Sequence, residues 1–466
     1  MATTAKTTTL STKQILEHLA TMSDHTVDHD RITRKGKEFV LPATMTLRSA
    51  VAFVNDYYEQ MTQVRSYTRE FQYLPDDGAV AFSEVLLKVT GAPGLAQARE
   101  TFFGSQPPEM REVEVGHGRT VSVPWGSIYV PMMNATFEMQ QSRRGLFLIY
   151  VEAQAQHADA IYGLFNAIEA HLQTTSIYRG QAFDGAMKFL DTNAVDPDNV
   201  IYSGETQRQL DTHIWSPIKH THLLREAGLP LKRAVLLHGP FGTGKTLAAM
   251  LTAQICEQNG WTFVYCRPQD DIDHTLTTAR LYEPAVVFIE DADERTAQIA
   301  ARTDGRGGVS KLLDMFDGIG SKSSQLQIIL TTNYPERIEK GMIRPGRLDA
   351  LVEIGKPDKA AITRFVQTIV PPDRLDPSVN YDNVAEAMSD YLPAFIKEAI
   401  DRSVRYAIAT SESLDTVITT EHLTDAAAGL RPQFNLMNQV EAKPRPALDA
   451  ALAEVVNECL HEAGDR

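Results

Sequence analysis

The eight residues Gly239-Pro240-Phe241-Gly242-Thr243-Gly244-Lys245-Thr246 lie between an apolar run, Ala234-Val235-Leu236-Leu237, and a helical stretch over 247–256. A strand, a glycine-rich turn and a helix in that order form a phosphate-binding loop. The glycines let successive backbone N–H groups curl around an anion, and the following helix points its positive end at the same place. Lys245 brings a full positive charge to the outer phosphates of a nucleoside triphosphate, and the Thr246 hydroxyl suits Mg²⁺. From about position 198 onward strands alternate with helices, as a parallel sheet with crossover helices requires. The runs 234–237, 262–265, 285–289 and 328–330 are almost continuously apolar, the pattern of strands covered on both faces.

A chain of 466 residues, 43% of them hydrophobic, has material for about three domains with real cores. The formal charge of −15 disfavours a broad electrostatic footprint for nucleic acid. Cys256, Cys266 and Cys459 are scattered and odd in number, so they offer neither a disulfide framework nor zinc spacing, and they fit a reducing compartment as packed thiols. The longest strongly apolar run, 145–151, is far short of the roughly 20 residues of a membrane helix. The threonine-rich start has no apolar core of a secretion signal. The expectation is a cytoplasmic protein with no membrane anchor.

The region ahead of the loop is organised differently. Ser11 and Gln14 form a capping-box pattern before Ile15, Leu16, Leu19 and Met22, and Thr46 caps a second helix carrying Leu47, Val51, Val54, Tyr58 and Met61. The period then changes to two. Val113 and Val115 face Val121 and Val123 across Gly116-His117-Gly118, a hairpin pattern. A second strand pair runs through Phe137 and Met139, turns near Arg143-Arg144-Gly145 and returns over 146–151. Ile161, Leu164, Phe165, Ile168 and Leu172 then share one helical stripe, so residues 1–178 read as a separate α+β domain. His25 and His29 stand four apart beside three aspartates, but no second cluster completes a metal site and the segment reads as a solvated loop or helix end. Beyond Pro357 the pattern is helical: Ile362, Phe365, Val366 and Ile369, then Phe395, Ile396, Ala399, Ile400 and Val404, then a short helix after Thr420. A tail stripe of Leu448, Leu452, Val455, Val456 and Cys459 packs either on its own chain or on a neighbour.

Hydrolysis needs groups that hold Mg²⁺, orient water and bring positive charge to the transition state. Val286-Val287-Phe288-Ile289 ends in Glu290-Asp291, two acids at Walker-B spacing after the loop. A further apolar strand ends in Thr331-Thr332-Asn333, an amide placed to help position the water. Gly341-Met342-Ile343-Arg344-Pro345-Gly346-Arg347-Leu348-Asp349 presents two arginines around Pro-Gly, which faces them outward.

At this point the chain resembles the AAA branch of the AAA+ ATPases. That branch shares the Arg-Pro-Gly-Arg-Leu-Asp run at 344–349 and the Thr-Asn pair before it. Leu312-Leu313-Asp314-Met315-Phe316-Asp317-Gly318 is similar to the family's helix ahead of the sensor strand, and Pro393-Ala394 stands where the branch often has Gly-Ala. The resemblance covers about half the chain. It implies an α/β P-loop NTPase fold with an AAA+ parallel-sheet core over 179–356, a helical lid over 357–432, a tail helix over 433–466 and the separate α+β N-terminal domain. It also implies that Gly239, Pro240, Phe241, Gly242, Thr243, Gly244, Lys245 and Thr246 bind ATP, that Thr246 and Glu290 serve Mg²⁺, that Asp291 is the catalytic acid and Asn333 the sensor. Arg344 and Arg347 would be arginine fingers reaching the ATP of the adjacent subunit in a homo-oligomer of six.

Two departures bear on mechanism. Walker B in the family reads Asp then Glu, whereas this chain reads Glu290 then Asp291, which shortens the water-activating side chain by one methylene. The stretch 267–284 is short and acidic, with Asp270, Asp271 and Asp273, and lacks the aromatic loop of substrate-threading relatives; Tyr282 reads as a packed helix residue, and the loop 304–308 as a linker. The leading expectation is a Mg²⁺- and ATP-dependent machine that remodels or disassembles a protein partner recognised by the N-terminal domain. An ATP-gated scaffold with little hydrolysis is the alternative. A nucleic-acid-dependent motor stands behind both.

Overall fold

The computed structural model describes residues 45–90, 108–292, 324–337, 347–412 and 416–437, with the backbone alone at 33–35, 38–40, 100–101, 104–105 and 438–442. Sequence expectations for 11–22, His25, His29, 304–308, 312–318, Arg344 and the tail stripe lie outside the described residues. The chain divides into two compact units, 1–115 with 119–177, and 178–466 with 116–118.

The first unit is an α+β fold. Strands β1 (Thr33–Lys35) and β2 (Glu38–Val40) form a small antiparallel pair. Helix α1 (Leu47–Thr62) starts where the Thr46 hydroxyl accepts the Ser49 N–H, a cap worth about 1 kcal/mol. Its stripe is covered only in part, since Val51 is buried while Tyr58 is 49% exposed. Strand β3 (Val64–Glu70) follows, then helix α2 (Pro75–Thr90) and the two-residue strands β4 (Glu100–Thr101) and β5 (Gly104–Ser105). Strands β6 (Glu109–Gly116) and β7 (Arg119–Trp125) pair across the expected turn. Strands β8 (Ser127–Val130), β9 (Ala135–Gln141) and β10 (Phe147–Gln154) join β3 in an antiparallel sheet of order β3-β10-β9-β8.

Alternation on β10 sends Phe147, Ile149, Val151 and Ala153 inward, and helix α3 (Ala158–Thr174) buries Ile161, Leu164, Phe165, Ile168 and Leu172 on its expected stripe. Helix α2 approaches the sheet so closely that a Cβ on Gly78 would lie 2.1 Å from the Phe147 ring. The neighbouring Asp77 is buried and accepts hydrogen bonds from Ser176 Oγ at 2.7 Å and from the Ile177 N–H at 2.9 Å, which ties α2 to the chain leaving α3.

The second unit has a six-stranded, wholly parallel sheet of order β11-β13-β14-β15-β12-β16. Its strands are β11 (Ala182–Asp184), β12 (Arg233–His238), β13 (Thr262–Cys266), β14 (Ala285–Ile289), β15 (Leu326–Thr332) and β16 (Ala350–Glu353). Every residue of β13, β14 and β15 is buried, which is why these segments read as apolar runs. The edge strands β11 and β16 were not expected from sequence: at three and four residues they are too short to show a period. Helix α4 (Lys245–Gln258) follows β12, and α5 (Ile272–Leu281) follows β13. The acidic residues ahead of α5 serve its start: Asp271 accepts the His274 N–H at 2.9 Å, and Asp270 accepts the Arg267 N–H at 2.8 Å. Tyr282 is fully buried, as expected, and Cys256 and Cys266 are buried.

Among the described residues four helices follow β16: α6 (Lys359–Ile369), α7 (Tyr381–Ala387), α8 (Pro393–Ser411) and α9 (Thr420–Ala442). Ile362, Val366, Ile396, Ile400, Leu423 and Leu430 meet in their common core. Helix α7 has only seven residues and was not anticipated. The helix after Thr420 was expected to be short but has 23 residues and passes through Pro432, beyond the boundary expected at 432. The observed architecture is thus a parallel α/β core with a helical C-terminal region and a separate α+β domain. Among the described residues no helix is long and apolar enough to cross a membrane.

Gly78→Ala is expected to destabilise the first unit. The added methyl gains about 1 kcal/mol of helix propensity but meets a Phe147 ring that is itself fully buried, and overpacking of that kind costs about 1–3 kcal/mol or more. Chemical denaturation of the variant should show a lower midpoint, and an unchanged or raised midpoint would remove the close-approach argument.

Candidate functional site

The site lies where the carboxyl ends of β12, β14 and β15 meet the first turn of α4, the usual ligand position of an open parallel sheet. Gly239 leaves β12 with its N–H on the Thr332 carbonyl at 3.3 Å. No side chain fits at this position, because a Cβ would sit 2.1 Å from the Ile354 carbonyl oxygen just beyond β16. Gly242 and Gly244 have φ values of 78° and 103°, the left-handed region that glycine enters without a Cβ penalty. Gly244 also caps α4, so the helix N-terminus faces the loop interior. Thr243 is buried and donates to the Pro240 carbonyl at 2.9 Å, closing the loop on itself. From outside, the Tyr202 hydroxyl donates to the Gly244 carbonyl at 2.9 Å, and burial pushes that phenol's pKa up.

The charged groups converge on this loop. Lys245 Nζ donates to the carbonyls of Gly239 and Pro240 at 2.6 and 2.8 Å, which holds the ammonium over the loop. Thr246 Oγ1 donates to Glu290 Oε1 at 2.7 Å. Tyr265, near the end of β13, is buried, and burial first, then the Glu290 carboxylate, push its phenol far above its ordinary range. Asp291 takes a different direction. It has a φ of 46°, unusual for a residue with a side chain and costing roughly 1–3 kcal/mol. Its N–H donates to Thr331 Oγ1 at 3.1 Å, and its Oδ1 accepts from Asn333 Nδ2 at 3.0 Å. The other amide atom, Asn333 Oδ1, is buried with no hydrogen-bond partner among the described residues.

Beside the loop is a cavity of about 870 Å³. Val200, Ile201 and Tyr202 line one wall, and Phe365 and Ile369 of α6 line the other. The start of α8 reaches the loop directly: the Ala394 N–H donates to the Gly242 carbonyl at 3.3 Å. These residues fit a nucleoside triphosphate with Mg²⁺. The cradle can be lined only by glycine at 239, an ammonium and a helix N-terminus face it, a hydroxyl and a carboxylate are paired at its end, an amide oxygen waits without a donor, and an apolar slot adjoins. Phe241, by contrast, points its ring outward at 51% exposure and meets Tyr334 edge-on at 6.1 Å.

The sequence-predicted residues therefore fall into two groups. The loop 239–246, Glu290, Asp291 and Asn333 come together around the cavity. Arg347 is half-buried in the turn before β16 and does not line its own chain's cavity. Arg344 lies outside the described residues. Sequence reasoning missed Tyr202, Tyr265 and the lid residues. Only Tyr265 left a signal, as a hydroxyl in an otherwise apolar buried strand whose end adjoins the acidic pair.

Residues 235–356 match the family profile described as ATPase family associated with various cellular activities (AAA). The chain is similar to the peroxisomal ATPase PEX6 of Homo sapiens, at 30% identity over 262 residues that make up 50% of this chain and 26% of that protein. It is also similar to a putative cell division cycle ATPase of Plasmodium falciparum (isolate 3D7), at 26% identity over 215 residues, 44% of this chain and 17% of the relative. The matched stretch thus spans about a quarter or less of these relatives' own lengths. Residues 235–356 are thus similar to the ATPase domain of that family.

Gly239→Ala is expected to abolish binding of a fluorescent ATP analogue, because the methyl would collide with the backbone at Ile354, which has no rotamer to yield. Wild-type affinity in the variant would show that the cradle is not where the phosphates are held.

Proposed function

We propose that this protein binds ATP with Mg²⁺ in the cavity beside Lys245, hydrolyses it, and applies the resulting change to a protein partner as a ring of six subunits. The observation that carries this reading is the separation of the two acids: Glu290 is paired with the Thr246 hydroxyl, whereas Asp291 is paired with the Asn333 amide. This separation supports Glu290 at the metal position and Asp291 at the position of the attacking water. The names of the two relatives, both ATPases, support ATP as the substrate.

Mg²⁺, when bound, would neutralise charge on the outer phosphates and hold them for in-line attack. The chain's own residues do the rest. Gly239 to Gly244 wrap the phosphates with backbone donors, and Lys245 turns from the Gly239 and Pro240 carbonyls toward the outer phosphate oxygens. Thr246 and Glu290 hold the metal side. Asp291 orients the water and takes its proton, while the Asn333 amide keeps that carboxylate in place. Arg344 and Arg347 act on the pocket of the adjacent subunit, a role favoured by the absence of Arg347 from its own chain's cavity wall. Residues 1–178 recognise the partner, 179–356 form the large ATPase subdomain, 357–432 the lid and 433–466 the tail, in a cytoplasmic assembly.

Between β13 and β14 there is one capped helix and no projecting aromatic loop. This favours repositioning or disassembly of a folded partner over threading of an unfolded chain. A second reading, an ATP-gated scaffold with little hydrolysis, is favoured by one observation: the acid facing Asn333 is the shorter aspartate. A displacement of about 1 Å at such a group can cost about 100-fold in rate.

Steady phosphate release by the wild-type protein separates the two readings, and its absence would leave the scaffold. Lys245→Ala should abolish turnover. Arg347→Ala should lower it by about 10³- to 10⁵-fold while leaving ATP binding intact, and the wild-type rate per subunit should rise with protein concentration. Full turnover in purified Arg347→Ala would defeat the shared-pocket claim.

A further inference from the structure

We infer that Asp358 is a positioning residue that sets the width of the nucleoside slot, its one carboxylate joining the start of the lid helix α6 to the start of the helix over Gly204–Leu210. This inference rests on the ATP reading above and deepens it.

The slot has two walls from distant parts of the chain. Val200, Ile201 and Tyr202 form one, and Phe365 and Ile369 of α6 form the other. The first wall is tied to the phosphate loop by the Tyr202 hydroxyl on the Gly244 carbonyl at 2.9 Å. It is tied to the end of β16 where Thr206 Oγ1 donates to the Glu353 carbonyl at 3.0 Å. The second wall follows the segment 354–358, which leaves β16 and turns into α6. Asp358 connects the two. Its Oδ1 accepts the Ala361 N–H at 2.8 Å and caps α6, while its Oδ2 accepts the Gly204 N–H at 2.8 Å, two residues beyond Tyr202.

Both contacts use what a carboxylate offers. The first N–H groups of a helix lack intrahelical acceptors and carry the positive end of its dipole, so one anion placed between two helix starts satisfies a donor of each. The helix 204–210 already has its own cap, the Ser203 hydroxyl, which accepts the Thr206 N–H at 3.2 Å. The bond from Gly204 to a residue 154 positions away therefore serves placement of the two helices. The cations beside Asp358 are engaged elsewhere, Lys356 with Asp390 at 3.5 Å and Lys359 with Asp382 at 2.6 Å, which leaves both carboxylate oxygens to the helix starts. A slot whose walls are held at a fixed spacing binds a base without first ordering them, the general gain of preorganisation. Asp358 does not line the cavity, so it acts through the walls.

Two substitutions in the full chain break the bridge and keep both helices. Asp358→Asn retains an oxygen for the Ala361 cap, where Asn and Asp serve about equally, but turns an amide NH₂ toward the Gly204 N–H. Gly204→Pro removes that N–H at a first helical position that suits proline, after a Ser203 whose φ of −60° and ψ of 153° fit the residue before proline. Displacement of a fluorescent ATP analogue by ATP and by inorganic tripolyphosphate, both with Mg²⁺, is measured alongside thermal melting as a control for folding. Each variant should bind ATP about 5-fold more weakly, the effect of one lost hydrogen bond, and tripolyphosphate within about twofold of wild type. The double variant should be weaker than either single one by less than about twofold, because both changes remove the same contact. ATP affinity at the wild-type level in Gly204→Pro would overturn the inference while leaving the ATPase reading standing. Equal loss for ATP and tripolyphosphate would also overturn it, by placing the defect at the phosphate loop. A wild-type protein that binds neither ligand would sink both.

Discussion

The parallel register of β12, β14 and β15 brings three strand ends to one edge of the sheet, and the chemistry of the protein depends on that coincidence. Lys245 and Thr246 follow β12, Glu290 and Asp291 follow β14, and Asn333 follows β15. Far apart in sequence, they become neighbours because backbone hydrogen bonds between the strands fix their relative height. A slip in any one ladder would carry its functional group several ångströms along the strand and turn alternate side chains to the other face. Complete burial of β13, β14 and β15 guards against such a slip.

Around that edge, local conformations are chosen for approach and not for comfort. Gly239 is held within touching distance of Ile354, so β16 forms the floor of the loop. Asp291 accepts a left-handed backbone, held there by Thr331 and by the Asn333 amide. The lid is coupled to the same loop through the Ala394 N–H on the Gly242 carbonyl. A change at the phosphates therefore has a short path into α8 and the helical core around it, the kind of two-part arrangement in which closure of one element reshapes another.

The exchange of the two acids becomes intelligible at this level. In sequence, Glu290 before Asp291 looked like a reversal with a shortened catalytic side chain. In three dimensions each acid has its own partner: Thr246 for the longer, Asn333 for the shorter. The aspartates before α5, which in sequence marked an acidic loop, are a helix cap and a turn.

Periodicity and spacing in the sequence were enough to define the P-loop, the buried strand runs 262–265, 285–289 and 328–330, the stripe of α3 and the helical character beyond Pro357, because each is a local pattern of apolar residues or glycines. Strands β11 and β16 and helix α7 were illegible because three to seven residues cannot display a period; pairing with neighbours, or packing in the lid core, makes them regular. The helix after Thr420 was expected to be short, yet α9 runs for 23 residues and holds Pro432 inside it. What only tertiary structure decided is partnership: which hydroxyl meets the Glu290 carboxylate, and which amide meets that of Asp291. Such contacts join residues distant in the chain, and no one-dimensional spacing encodes a distance across strands.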